Sequence, residues 1–165
     1  MRKNVKEFIE KHIDLIDEFR FDELYSWAIS EIPFQIGNLS YNLMEAGINP
    51  LNYVPMVHAE MFSNSIITSI ELPKNIVRIN RQAFLDCFGL VEIIIPESVI
   101  SIDRTAFKGC YELKNIRYTG TIEQLNRLCS ISELQDIFAD CDTYAVHCSD
   151  GVVSFAEEWV YAGIT

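Results

Sequence analysis

Apolar residues recur through residues 67–118 with two superimposed spacings, a short alternation and a fixed period of 23 residues. Set in rows, ITSIELPKNIVRINRQAFLDCFG lies above LVEIIIPESVISIDRTAFKGCYE, and LKNIRYTG opens a third row. Ile67, Leu90 and Leu113 share a column, as do Ile70, Ile93 and Ile116, and then Leu72, Ile95 and Tyr118. Pro73 stands over Pro96, Ile76 over Val99, Ile79 over Ile102, Ala83 over Ala106, Phe84 over Phe107 and Cys87 over Cys110. In I-x-x-I-x-L the last two apolar columns flank a polar or variable one, which predicts a strand with one buried face. Proline ends that strand, because it has no N–H to donate to a ladder. The following I-x-x-I and A-F-x-x-C predict a short turn or 3₁₀-like return.

One such unit has no core of its own, so neighbouring units must stack and the end units need caps. A period in this range with an L-x-x-L-x-L strand core reads as a leucine-rich-repeat solenoid. The expected fold is therefore a single α/β unit: a helical N-terminal cap over 1–64, the repeat solenoid over 65–120, and a C-terminal cap of helices and a hairpin over 121–165.

In the N-terminal part, Asn4 is positioned to cap a helix whose stripe is Val5, Phe8, Ile9, Ile13, Ile16 and Phe19. A second helix is expected near 22–30, with Leu24, Trp27 and Ala28 or Ile29 inward. Pro33 restarts the chain, and a third helix near 34–46 ends at Gly47. Asn49-Pro50 predicts a fourth short helix reaching about Glu60, and Ser63-Asn64-Ser65 the turn into the first repeat. Beyond the third strand, Ile122 to Leu128 and Ile131 to Phe138 read as helices. Thr143 to Cys148 and Val152 to Phe155, around Ser149-Asp150-Gly151, read as a hairpin. Trp159 and Tyr161 predict that the last ten residues dock.

The S-I-x-L-P…I-x-x-I-x-x-x-A-F-x-x-C pattern resembles the BspA-like (Treponema-type) leucine-rich repeats. The tail YTGTIEQLNRL…YAVHCSDG resembles the way many such arrays end, so the likeness covers roughly 65–151. The stretch GNLSYNLMEAGINPL is similar to helical leaders of phage and mobile-element repeat proteins. The resemblance implies a non-catalytic binding scaffold whose partners differ between members. It does not extend to adhesion, because this chain has few repeats and lacks the export signal of the long surface-exposed members.

Charge sharpens this picture. The net charge is −11. Residues 1–60 carry −5, residues 61–120 carry +1 and residues 121–165 carry −7, so the acid lies in the flanks. A chain this acidic repels phosphates, which argues against direct nucleic-acid binding. MRKNVKEFIEKHIDLI threads charges through its apolar residues and reads as an amphipathic helix, neither a signal peptide nor a membrane span. The expected location is the cytoplasm, with no membrane partner; monomer and dimer both remain open.

No nucleotide-binding, nucleophile-elbow or H-E-x-x-H motif occurs. His12, His58 and His147 fall on separate elements. Cys87 and Cys110 read as small buried apolar residues. Cys129, Cys141, Cys148 and His147 have separations that match no familiar zinc framework. His147 and Cys148 are adjacent on a strand and point to opposite faces. Neither a catalytic residue, a metal nor a cofactor is expected.

What remains is surface. Thr68, Val91 and Lys114, then Ser69, Glu92 and Asn115, then Glu71, Ile94 and Arg117 are the outward columns of the strands. An apolar centre of Val91 and Ile94 with a charged rim is a common interface arrangement; the competing reading is that a cap covers it. The expected function is a protein-binding module, phage- or mobile-element-borne, that occludes a host protein. One alternative is an acidic inhibitor using Asp136, Asp140, Asp142, Glu157 and Glu158 to compete with nucleic acid for the basic groove of a defence nuclease such as a CRISPR effector. The other is a metal- or cysteine-dependent enzyme.

Overall fold

The computed structural model describes residues 1–143 and 145–155. Two helices stand where the N-terminal stripe predicts one. α1 (Lys3–Lys11) buries Val5 and Phe8 and stops at His12, and α2 (Ile13–Asp17) buries Ile16. The break turns Ile13 to solvent, and Phe19 is exposed in a left-handed conformation with φ 56°. Arg2 precedes the first turn in place of Asn4, and its side chain makes no cap. α3 (Phe21–Glu31) buries Phe21, Leu24, Tyr25 and Ala28. Trp27 stands one position off that stripe, is 51% exposed, and stacks on His12. α4 (Ile36–Glu45) is followed by Ala46 and then Gly47, whose φ of 85° is the left-handed C′ geometry expected there. A Cβ at Gly37 would lie 2.0 Å from the Ser63 carbonyl oxygen, so α4 rests directly on the backbone of the first repeat turn.

The expected fourth helix does not form. Pro50–Tyr53 is one 3₁₀ turn, with Asn49 Oδ1 accepting from the Leu51 N–H at 3.1 Å. Pro55 then forces the preceding residue out of the helical region, and Val54 is extended at φ −130°, ψ 151°. The chain continues as strand β1 (Met56–Val57).

β1 pairs in parallel with β3 (Arg78–Ile79), and β3 with β5 (Ser101–Ile102). A second parallel ladder joins β2 (Ser69–Glu71), β4 (Glu92–Ile95) and β6 (Asn115–Tyr118). Its register sets Ile70 beside Ile93 beside Ile116, so residues of one sequence column are neighbours on adjacent strands. One repeat is one step across the sheet. β7 (Ala145–Cys148) adds in parallel to β6, and β8 (Gly151–Ser154) returns antiparallel, as the hairpin signal indicates.

The same stacking runs through the interior. The rings of Phe62, Phe84, Phe107 and Phe138 form one pile with centroids 5.1–5.2 Å apart. Three residues beyond each Phe stand Ser65, Cys87, Cys110 and Cys141. The Cys87 thiol donates to the Phe62 carbonyl at 2.9 Å and the Cys110 thiol to the Phe84 carbonyl at 3.0 Å. Between them, Asn64, Asp86 and Gly109 are all left-handed. The repeat pattern thus begins one unit earlier than its clearest copies, with Val54, Val57, Phe62 and Ser65 occupying the columns of Ile76, Ile79, Phe84 and Cys87.

α5 (Ile122–Leu128) and α6 (Ile131–Ile137) each open with a capping box, Thr121 with Gln124 and Ser130 with Glu133. Buried side chains form one continuous core from Val5 to Phe155. Tyr144, Trp159 and Tyr161 lie outside the described residues.

Candidate protein-binding surface

Alternation along β2, β4 and β6 sends Ile70, Ile93 and Ile116 inward and leaves the other face to solvent. Thr68, Ser69 and Glu71 are exposed; Val91 is 38% exposed, with Glu92 and Ile94 half-buried beside it. Lys114, Asn115 and Arg117 are exposed on β6 and just before it. The register aligns Ser69, Glu92 and Asn115 in one row and Glu71, Ile94 and Arg117 in the next. His147 on β7 continues the second row, opposite Arg117. No described element covers this face. An open groove of about 650 Å³ runs across it, lined by Glu71, Glu92, Ile94, Asn115, Arg117 and His147 among others.

Charges on this face are loosely engaged. Arg117 Nε lies 3.9 Å from Glu92 Oε1, and Lys114 Nζ lies 3.9 Å from Glu112 Oε2 and 3.8 Å from Asp142 Oδ2. Exposed pairs at such distances contribute about 0–1 kcal/mol, so the side chains are free to turn to a partner.

Two residues that the strand pattern overlooks add exposed apolar surface in the turns. Phe88 and Tyr111 follow Cys87 and Cys110, are each 58% exposed, and stack at 6.2 Å with planes 10° apart. Ile66, also exposed, holds the same place after Ser65. The signal was present as a surface column of three large apolar residues, at positions where a solvated turn needs none. Aromatic side chains of this kind are the usual anchors of interfaces.

The acids of the alternative surface do not form one uniform patch. Asp140 Oδ2 accepts the Gly109 N–H at 2.9 Å, and Asp142 faces Lys114. Asp136 and Asp140 line one hollow together with Arg104 and Lys108, whose charges oppose theirs. Glu157 and Glu158 lie outside the described residues.

Cysteine and histidine chemistry is spoken for locally. All five cysteines are free thiols. The Cys110 thiol next to it and burial hold Cys87 well above the ordinary thiol range; burial raises Cys141, with Cys110 adding to it. Burial, with Glu133, pushes Cys129 up to about 11, and burial with Asp150 raises Cys148. Protonated thiols are poor nucleophiles and poor metal ligands. Among the described residues no three His, Cys, Asp or Glu side chains gather as a metal site. His12 contacts Glu31 at 3.2 Å, tying the start of α2 to the end of α3, and His58 contacts Asp22 at 2.7 Å while stacking on Tyr25, tying α3 to the end of β1. No described helix is long and apolar enough to cross a membrane.

Parallel strands stepping one repeat at a time, with an A-F-x-x-C turn stacked behind them, are the geometry against which relatives can be compared. Residues 55–141, more than half of the chain, match the BspA type leucine rich repeat region (6 copies). This chain belongs to the BspA-type leucine-rich repeat family. The matched span includes β1, in keeping with a repeat pattern that starts before residue 65. Among solved structures, a leucine rich cell surface protein from Faecalibacterium prausnitzii A2-165 is 34% identical, with a TM-score of 0.45. That likeness covers 47% of this chain and 21% of the other, so it spans about a fifth of that protein's length. No curated protein matches this chain. BspA-type repeats are protein-interaction modules, and no catalytic family is indicated.

Proposed function

We propose that this BspA-type repeat chain is a non-catalytic module that captures a protein through its open sheet face, with the helices before residue 54 and the C-terminal elements as caps on a short solenoid. The observation that carries this reading is the composition of that face. Exposed Val91 and half-buried Ile94 stand among Lys114, Arg117, Glu71 and Glu92, whose charges are at most weakly engaged. Burying such an apolar centre while a polar rim excludes water is how a small interface gains affinity. The likeness of GNLSYNLMEAGINPL to phage and mobile-element leaders supports a cytoplasmic setting in which the module occludes a host protein. The acidic decoy reading has less support, because Asp140 is already held by the Gly109 N–H within the chain. A photo-crosslinking residue placed at Val91 is expected to trap the partner, while one at Glu10 on α1 traps nothing. The reverse pattern would move the contact surface to the helices.

A further inference from the structure

Glu71, Ile94, Arg117 and His147 lie opposite one another on four consecutive strands and all line the one groove. Their chemistry is graded along the row. Among the described residues the Glu71 carboxylate has no ion-pair or side-chain hydrogen-bond partner, and neither has the His147 ring. The Arg117 side chain is 66% exposed and holds Glu92 only at 3.9 Å. The row therefore runs from a free carboxylate, over a half-buried isoleucine, to a guanidinium and an imidazole.

Strands are spaced about 4.8 Å apart, so the row is about 14 Å long. An extended chain rises about 3.3 Å per residue, which places residues i and i+4 about 13 Å apart, with i, i+2 and i+4 on one face. A single extended segment laid across the strands thus matches the row with three side chains. We infer that the partner presents an extended segment with a basic and an acidic residue four positions apart and an apolar residue midway. The base meets Glu71, the apolar side chain covers Ile94 and the stem of Arg117, and the acid reaches Arg117 and His147. Segments with two like charges set one of them against its own sign, which is how this groove discriminates. A polyphosphate chain meets Glu71 and Glu92 and is rejected.

This inference rests on the sheet face being the contact surface and names what that face selects. The test uses the full chain and three acetylated, amidated peptides with the cores Lys-Thr-Leu-Thr-Asp, Lys-Thr-Leu-Thr-Lys and Asp-Thr-Leu-Thr-Asp, titrated by fluorescence anisotropy. The mixed-charge peptide is expected to bind about tenfold more tightly than either like-charge peptide. Glu71→Lys is expected to reverse the order in favour of the Asp…Asp peptide, and Arg117→Glu in favour of the Lys…Lys peptide. Equal binding of all three, binding of none, or an order unmoved by both substitutions overturns the inference. If the peptides fail while a crosslinker at Val91 still traps a partner, the sheet-face reading stands and only the segment's chemistry falls. If that crosslinker also fails, both fall.

Discussion

Phe84 lies face to face with Phe107, the ring centroids 5.2 Å apart and the planes within 3° of parallel. Both rings are fully buried, and each sits where the A-F-x-x-C turn of its repeat places it. The pair shows how a sequence period becomes a packing period: equal residues at equal places in successive units meet their own kind. Such a stack adds about 0.5–1.5 kcal/mol per aromatic pair to the burial itself.

Phe107→Ala removes the middle of the pile between Phe84 and Phe138, and a loss of about 3–5 kcal/mol is expected in urea unfolding. Phe88→Ala, at an exposed ring, is expected to change stability by only about 0.5 kcal/mol. Equal midpoints for the two variants would show that the interior stack does not hold the units together.

The thiols give the fold a dependence on alkaline pH. Cys129 has a folded pKa of about 11, raised from 9.0 by burial and then by Glu133. A raised folded pKa means that the native state keeps its proton after the unfolded chain has lost it. The associated stability is complete below about pH 9 and declines as pH rises towards 11. Cys87, raised by the neighbouring Cys110 thiol and by burial, and Cys141, raised by burial and then by Cys110, act in the same direction. Unfolding followed from pH 7.5 to 11 is expected to show falling stability, and Cys129→Ala to flatten the first part of the decline. A flat wild-type profile would contradict the burial of these groups.

Removal of residues 1–62 uncovers Phe84 and takes away the helices seated on Ser63. An aggregated product is expected, because an open repeat end exposes apolar surface. A soluble, monomeric and cooperatively unfolding fragment 63–165 would show that the N-terminal part is a separate domain.

The strand register was legible because the columns Ile70/Ile93/Ile116 repeat both in spacing and in residue type. The first repeat was not, since Ser65 replaces the cysteine and Pro55 after Asn49-Pro50 resembles helix punctuation more than a strand. Phe138 and Cys141 continue the pile and the thiol column, but α5 and α6 intervene and put them off the 23-residue period. Helix α1 shows a limit of periodicity: the stripe runs on through Ile13, while the backbone breaks at His12. On the candidate face, strand alternation indicates which residues point out; the exposed rings of Phe88 and Tyr111 sit in turns and follow no strand rule. His147 joins the row only because β7 pairs with β6, a tertiary event that local pattern does not carry.

The most direct test of the sheet-face account is capture of the partner from the native host by the folded double variant Ile94→Glu with Arg117→Glu, compared with the wild type. The account predicts loss of capture with an unchanged unfolding midpoint, because the substitutions bury unpaired charge at the centre of the interface. Full capture by that variant would contradict it. If capture were instead weakened by salt and by converting Asp136, Asp140, Asp142, Glu157 and Glu158 to their amides, the acidic surface would be the contact.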